Sequence, residues 1–276
     1  MKIDRVLKLY EQGCRDFSQI DLSGADLTGV MLIEVNFSKA NFRGANLSRA
    51  FLTKSNFDEA SFNWANLSCA KMSEVTLKGA DLTKANLSGA FMVKSQLNYA
   101  RLCGANLSHT NLRLASLEAA NLCGAKLQKI NLRQANLARV NFDWANLYEG
   151  RLTGAYLRDI SLNAVNLSQA FLKDVDLSDA NLENINLSHA RLNGANLART
   201  NLTLANLENA YLNNANLEEA NLTLANLAGA KLIRANLTHT NLTKANLTDT
   251  NLQDAILVNT KLEKIQLSSN EVRALS

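Results

Sequence analysis

Three histidines and four cysteines are the side chains of this 276-residue chain that most readily perform chemistry. All three occupy the same corner position of the repeat described below; His109 and His189 share one column but lie 80 residues apart, and His239 is in another column. A metal site or a catalytic dyad needs such groups within a few ångströms of one another. Paired carboxylates, a nucleophile beside a base and a phosphate-binding loop are also missing at any usable spacing. The sequence therefore predicts surface histidines, no catalytic residue, no metal site, no cofactor and no enzymatic activity.

The cysteines include one regularly spaced pair. Cys103 and Cys123 lie 20 residues apart, whereas Cys14 and Cys69 have no partner at that spacing. If residues with this separation stack in neighbouring coils, their backbones are about 4.8 Å apart, which is within the range of a disulfide. Two free thiols in a reducing compartment are the favoured alternative. The sequence does not decide between the two.

Cationic and aromatic residues also recur at the spacing of this cysteine pair. The members of this set are Phe51, Lys71, Phe91, Arg113, Arg133, Arg151, Phe171, Arg191, Tyr211 and Lys231. A basic row with interleaved aromatic residues can dock an acidic protein surface, a nucleic acid or an anionic glycan. The alternative is a solvated ladder in which neighbouring side chains make cation–π contacts. The ten residues are therefore candidate interaction residues, with both interpretations open.

A five-residue repeat positions all of these side chains. From Phe17 to Leu267 every fifth residue is Leu, Phe or Met, which gives 51 positions without a break. Two residues earlier, 31 of the 50 positions from 20 to 265 hold Ala, and the residue in between is usually Asn or Asp. We call these the central, small and polar positions. Ten of the twelve glycines follow a central position by two residues, which predicts a corner with positive φ there.

Neither a helix nor a flat strand keeps this pattern on one face. Successive central residues of a helix would lie about 140° apart, and a strand would turn every second one toward water. The chain must therefore bend once per repeat. At residues 31, 51 and so on to 251, nine of the twelve polar positions hold a residue other than Asn or Asp. In the remaining repeats, 11 of 38 polar positions do so. This recurrence at every fourth repeat predicts four repeats per coil and an all-β solenoid on the order of 60 Å long.

The repeats resemble a known family. Units such as Ala25–Gly29 (ADLTG), Ala195–Arg199 (ANLAR) and Ala245–Asp249 (ANLTD) resemble those of pentapeptide-repeat proteins, and the resemblance covers about residues 17–267. It implies a right-handed quadrilateral β-helix, here of about 12–13 coils. The opening Val6-Leu7-Lys8-Leu9-Tyr10, followed by Gly13 and Asp16-Phe17, resembles cyanobacterial members in which a short helix plugs the first coil.

Both ends of an open solenoid need covering. Residues 3–12 are predicted to form a capping helix, with Asp4 in its first turn and Gly13 as the stop. The predicted domains are 1–16 as capping helix and linker, 17–268 as the β-helix and 269–276 as a C-terminal tail. Apolar residues near that tail suggest a weak cap or an end-to-end homodimer, with monomer and dimer left open; they are Ile256, Val258, Ile265, Val272 and Leu275.

Composition bounds the compartment and the class of partner. The formal net charge is +4, and the amino terminus carries Asp4 and Glu11 instead of an apolar signal region. No stretch approaches the roughly 18 apolar residues of a membrane helix. The sequence therefore predicts a cytoplasmic protein that does not enter a membrane.

The uninterrupted repeat favours a rigid interaction scaffold over an enzyme, because active sites usually lie on loops that a scaffold holds out. The expected partner is a protein of unknown identity. Resemblance to cyanobacterial members implies a regulator of cell differentiation, such as heterocyst formation. One alternative is a topoisomerase-binding DNA mimic, as in the members that confer quinolone resistance, although the net basic charge opposes it. Another is binding of a nucleic acid through the basic and aromatic residues.

Overall fold

The computed structural model describes residues 3–267, and one short helix opens the chain. Helix α1 spans Ile3–Glu11. The rest of the described chain forms isolated parallel β-bridges instead of continuous strands, and each bridge joins a residue to the one four repeats later. The series runs from Asp16↔Asn36 to Asn246↔Gln266, advancing by one repeat at a time except at Tyr156 and Ser161. The predicted coil of four repeats is therefore confirmed.

Each coil has four short sides, one per repeat, which we number in chain order. The first to fourth sides of the first coil are centred on Phe17, Leu22, Leu27 and Leu32. Because bridge partners are four repeats apart, equivalent residues of one side form a column that runs along the rod. The polar positions of the fourth side are thus residues 31, 51, 71 and so on to 251.

The central and small positions together form one continuous core. Every central residue from Phe17 to Leu247 is buried. In the first coils these are partly phenylalanines, and Phe42 stacks on Phe62 with ring centroids 4.9 Å apart. Where Thr replaces Ala at a small position, its hydroxyl finds a partner, as Thr240 donates to the Leu217 carbonyl at 2.7 Å. The core therefore has the Leu-over-Ala organisation that the repeat predicts.

The hydrogen bonds of a repeat explain why its polar position is Asn or Asp. Three backbone N–H groups bond to the adjacent coils, a fourth closes the turn, and the fifth donates to the side chain of the polar residue. In the repeat Ala45–Arg49, for example, Leu47 donates to the Asn66 carbonyl at 2.6 Å, and Ser48 donates to Oδ1 of Asn46 at 3.2 Å. The Asn side chain thus satisfies a backbone donor that the ladder leaves unpaired.

The same asparagines also bond to one another along the rod. Nδ2 of Asn66 donates to Oδ1 of Asn46 at 3.1 Å, and Nδ2 of Asn86 donates to Oδ1 of Asn66 at 3.2 Å. Stacked amide ladders of this kind stabilise other repetitive β-structures. Each internal Asn of such a column therefore joins three coils in addition to capping its own turn.

Every corner of the described solenoid adopts the left-handed backbone region. The residue two positions after the central one has positive φ in all 50 repeats from Gln19 to Lys264, and only ten of these residues are glycine. It is the third residue of a turn in which the first carbonyl accepts from the fourth N–H, as in a type II β-turn. The corner predicted from the glycines is confirmed. Non-glycine residues also adopt it, at a cost of roughly 1–2 kcal/mol each.

The amino-terminal cap is also confirmed. Val6 of α1 is fully buried against the first coil. The Tyr10 hydroxyl accepts a hydrogen bond from the Ile33 N–H at 3.2 Å and donates one to the Ile33 carbonyl at 3.4 Å. The helix ends at Glu11, one residue before the predicted end.

At the opposite end, the last described coil is less covered. Ile256 and Val258 are 50% and 55% exposed. The predicted tail 269–276, with Val272 and Leu275, lies outside the described residues, so the choice between a cap and an end-to-end dimer stays a prediction. Within residues 3–267 no helix is long and apolar enough to cross a membrane.

Candidate interaction surface

The fourth side holds all ten candidate interaction residues, which we call the basic–aromatic stripe. Eight of them occupy its polar position and are joined by bridges in two runs, 51–91 and 151–231. Between the runs this position holds Asn111 and Asn131, and the cations shift two residues along the chain to Arg113 and Arg133. The stripe therefore stays continuous over ten coils, whose nine spacings together measure on the order of 43 Å.

Cations and aromatic rings alternate closely along the stripe. The Lys71 ammonium lies 3.7 Å from the Phe91 ring centroid, and the Arg191 guanidinium lies 4.5 Å from that of Phe171. Lys231 lies 4.9 Å from the Tyr211 ring. Cation–π contacts of this kind order long side chains. The solvated-ladder geometry anticipated from the sequence is therefore present. It also leaves apolar surface open, because Phe51, Phe91 and Tyr211 are 40%, 44% and 37% exposed.

The stripe also exposes backbone donors. Where a Phe, Lys, Arg or Tyr replaces Asn, the N–H two residues later loses its side-chain acceptor. In the described part of the chain these N–H groups have no hydrogen-bond partner at Thr53, Ser73, Val93, Thr153, Lys173, Asn193 and Asn213. The equivalent group on the third side is capped, as Ser68 is by Asn66 at 3.2 Å. The fourth side thus combines fixed N–H dipoles with its cations, and both favour anionic groups.

The charge of the fourth side remains positive after its own ion pairs are considered. Its outward residues include ten basic and four acidic side chains, which gives +6. Three acids are paired on the same side: Glu34 with Lys54 at 3.3 Å, Asp174 with Lys173 at 3.6 Å and Asp254 with Arg234 at 3.8 Å. Among the described residues, no carboxylate pairs with the seven other cations, which are Lys71, Lys94, Arg113, Arg133, Arg151, Arg191 and Lys231.

The histidines and cysteines do not form a second site. His109, His189 and His239 are exposed corner residues with positive φ, and the described chain contains no cluster of three or more potential metal ligands. Cys103 and Cys123 are free thiols. Burial, together with the hydrogen bond to the Cys123 side chain, raises the pKa of the Cys103 thiol. Cys103 is therefore neutral and poorly nucleophilic at neutral pH.

One feature of the structure was not predicted from the sequence. A cavity of about 620 Å³ opens between two coils on the first and second sides. It is lined by Ala155, Tyr156, Leu157, Arg158, Asp159, Ile160, Asp176, Ser178, Asp179, Ala180 and Asn181. The signal available in the sequence is a cluster of bulky residues, since Ile or Val occupies four of the six small positions from 160 to 185. We call this cavity the inter-coil cleft.

Several solved structures and one family profile match this chain. No curated protein sequence matches the chain. Among solved structures, the chain is similar to HetL, a pentapeptide-repeat protein involved in heterocyst differentiation regulation from the cyanobacterium Nostoc sp. strain PCC 7120. The two are 29% identical over 98% of both chains, with a TM-score of 0.33. QnrB1, a plasmid-mediated fluoroquinolone resistance protein, is 18% identical over 82% of this chain and 94% of its own, with a TM-score of 0.33.

A third similar structure is Rfr23 from the cyanobacterium Cyanothece 51142. It is 22% identical over 57% of this chain and 98% of its own, with a TM-score of 0.23. The sequence profile described as pentapeptide repeats (8 copies) matches overlapping segments that run without a gap from 16–49 to 230–268. These matches cover nearly the whole solenoid of stacked four-repeat coils. The chain belongs to the pentapeptide-repeat family.

Proposed function

We propose that this protein is a non-enzymatic scaffold that binds an acidic surface of a partner protein through the basic–aromatic stripe. The observation that carries the proposal is the coincidence, on one straight side, of unpaired cations, half-exposed aromatic rings and open backbone N–H groups. Tyr, Phe and Arg are enriched at protein interfaces, and Tyr and Arg at their energetic centres. The proposal also fits the family, whose members are generally structural or interaction proteins.

We also propose the handedness and the cross-section of the solenoid, which the β-bridges alone do not define. Members of the family are right-handed quadrilateral β-helices, and we infer the same handedness here, with about 12–13 coils over residues 17–268. Such a rod has few internal degrees of freedom, so its stripe is preorganised. Preorganisation reduces the entropy lost on binding. We place the protein in the cytoplasm, because the free thiols of Cys103 and Cys123 fit a reducing compartment.

A nucleic acid is the second candidate partner, and the open N–H groups with seven unpaired cations favour it. Phosphates accept both kinds of donor, and aromatic rings stack on unpaired bases. The two candidates differ in salt dependence, because each neutralised phosphate releases condensed counterions. A protein partner held by aromatic contacts should lose less affinity between about 50 and 200 mM salt than a duplex held by several phosphates.

The test compares variants that remove the stripe with variants matched on other sides. One variant carries Arg151→Glu and Arg191→Glu, and its control carries Lys261→Glu and Lys126→Glu, which change the net charge equally at the polar positions of the second and third sides. Lys39 and Arg199 are less suitable as controls, because they are ion-paired with Glu59 and Asp179.

A second pair of variants tests the apolar contribution. The stripe variant changes Phe51, Phe91, Phe171 and Tyr211 to Ser. Its control changes four exposed apolar residues at the second-side corner to Ser: Trp64, Trp144, Leu204 and Leu224, which are 64%, 72%, 50% and 47% exposed. Proteins captured from the native host are identified by mass spectrometry, and titration calorimetry measures the affinity of each purified partner.

The expected result is a partner with an acidic surface that both stripe variants lose and both controls retain. Equal loss in the controls, or no specific partner for the wild-type protein, would refute the proposal. A fluorescent DNA duplex of about 20 base pairs, longer than the stripe, serves as the nucleic-acid probe. Tight binding of that duplex at low salt, with a steep salt slope that the Arg151→Glu and Arg191→Glu variant abolishes, would replace the protein partner by the nucleic acid.

Two narrower roles remain predictions. HetL is involved in heterocyst differentiation regulation. From the family resemblance we expect a regulatory role in cell differentiation for this chain as well. Disruption of the gene in the native host, scored for cell differentiation, tests this role. A topoisomerase-binding DNA mimic needs a phosphate-like acidic surface, whereas the stripe side is +6. A gyrase supercoiling assay checks this alternative, and we expect no inhibition.

A further inference from the structure

The β-ladder of the solenoid is interrupted at one place. From residue 16 to residue 246 every polar position is bridged to its equivalent in the next coil, except at Tyr156 and Ser161. These two positions lie on the first and second sides of the same coil. The third and fourth sides of that coil remain bridged to the next coil, through Asn166↔Asn186 and Phe171↔Arg191. The coils therefore separate like a wedge, joined on two sides and open on the other two.

The open sides leave two backbone edges that face each other without hydrogen bonds. In the coil below, Leu137, Arg139, Phe142 and Trp144 donate to carbonyls of the following coil, at 2.8–2.9 Å. At the interruption, the four equivalent N–H groups have no acceptor within the described structure. The two N–H groups that should donate from the upper coil to the lower one have no acceptor either. The six groups belong to Leu157, Asp159, Leu162, Ala164, Asp176 and Asn181.

The inter-coil cleft lies between these edges. Its volume of about 620 Å³ falls in the range of ligand-binding pockets. Ile160 and Ala180 form part of its lining and are partly exposed, although every other small position from 35 to 245 is buried. The rim is polar and fixed, since the Asp179 carboxylate is held by two hydrogen bonds from Arg199, at 2.7 and 2.8 Å.

Branched side chains cluster in the segment where the coils separate. Ile160, Val165, Val175 and Ile185 occupy small positions within this segment, whereas no small position from 190 to 255 holds Ile or Val. Extra methyl groups in a packed core push its layers apart. Tyr156 adds to the effect, because it replaces the Asn or Asp that caps the turn in neighbouring coils and is 53% exposed. The opening therefore coincides with a cluster of departures from the repeat.

We propose that the inter-coil cleft binds an extended peptide segment of a partner protein, which completes the interrupted ladder by β-augmentation. A polypeptide backbone supplies donors and acceptors at the spacing that both edges need, whereas a small molecule satisfies only a few of these groups. The lining also sets a preference for side chains. A Leu-type side chain directed inward would cover Leu157 and Ala180, and polar neighbours would face the rim of Arg158 and Asp176.

The cleft lies on different sides from the basic–aromatic stripe, so the two proposals can fail separately. The probe is a labelled ten-residue peptide with the sequence of residues 240–249 (TNLTKANLTD), which has the backbone and the side-chain pattern of the repeat. One control peptide has Ser in place of Leu242 and Leu247. A second has N-methylated backbone amides at both leucines and therefore cannot donate there.

Hydrogen exchange of the full-length protein provides the first readout. Without peptide, the amides of Leu157, Asp159 and Leu162 should exchange at least about tenfold faster than those of Leu137 and Arg139 one coil below. The probe should slow this exchange by about tenfold or more, and neither control peptide should do so. Slow exchange in the free protein would show that the edges are already paired in solution, and it would overturn the proposal.

A variant that restores the repeat provides the second readout. Tyr156→Asn with Ile160→Ala reinstates the residues of neighbouring coils, so it should close the cleft and abolish peptide binding by anisotropy. Ile130→Ala with Gln96→Asn makes the equivalent inward and outward changes in bridged coils and should bind the probe like the wild-type protein. Peptide binding that survives cleft closure, or that the N-methylated peptide reproduces, would refute the assignment. Absence of binding up to the solubility of the probe would also refute it.

Discussion

The asparagine ladder makes a quantitative prediction for Asn226→Ala. Oδ1 of Asn226 accepts from the Ala228 N–H at 3.2 Å and from Nδ2 of Asn246 at 3.1 Å, and its own Nδ2 donates to Asn206 at 3.3 Å. Each such bond contributes about 0.5–1.5 kcal/mol net. Since the site is only partly buried, water replaces some of the loss. We therefore expect the free energy of unfolding to fall by about 2 kcal/mol.

Two further substitutions separate the contributions. Asn226→Asp keeps the acceptor for Ala228 but loses the donor to Asn206, so it should cost about half as much. Lys231→Ala, at the polar position of the next side, should cost under about 0.5 kcal/mol, because no side-chain ladder exists there. Guanidinium unfolding followed by circular dichroism measures all three. If Asn226→Ala costs no more than Lys231→Ala, the Asn caps contribute nothing and the proposed origin of the repeat's Asn is wrong.

Three other predictions concern titration and buried groups. The pKa of Asp26 lies below its usual range because the Thr28 hydroxyl and N–H donate to it. The folded state therefore binds fewer protons than the unfolded chain, so this contribution to stability should be lost below about pH 4. Asp26→Asn should reduce that loss, and acid unfolding curves of the two proteins measure it. Alkylation of Cys103 by iodoacetamide, followed by mass spectrometry, should need a pH above the usual thiol range near 8.5, because its pKa is raised. Thr240→Val should lower the unfolding free energy by about 1 kcal/mol, since it removes the hydroxyl bond to Leu217.

The sequence was sufficient to predict the coil and its corners, because both follow from a local rule that each repeat restates. The column of departures at 31, 51, 71 and so on identified the side that carries Phe51, Lys71 and Phe91, and the bridges place these residues one above another. The helix over residues 3–11 was equally visible, since Asp4 and Gly13 mark its start and stop. Local signals of this kind do not depend on which side chains occupy the next coil.

The inter-coil cleft could not be predicted in the same way. The repeat stays in frame through residues 150–190, with Leu at every central position. Whether a coil accommodates Ile160 depends on what lies above and below it, which is Val140 on one side and Ala180 on the other. Elsewhere single branched residues are tolerated, as Val75 is in a fully paired coil. The branched residues at 160, 165, 175 and 185 stand out only when adjacent coils are considered together, and a position-by-position interpretation does not combine them.

The two candidate sites arise from opposite departures from one rule. The stripe replaces the outward Asn, so it gives up side-chain caps but leaves the backbone bridges from Phe51 to Lys231 unbroken. The cleft enlarges the inward small residue, so it gives up the bridges themselves at Tyr156 and Ser161. An outward change can therefore extend along the rod at little cost to the fold, whereas an inward change must stay confined to a few coils. This difference explains a stripe of ten coils beside a single cleft in the described solenoid.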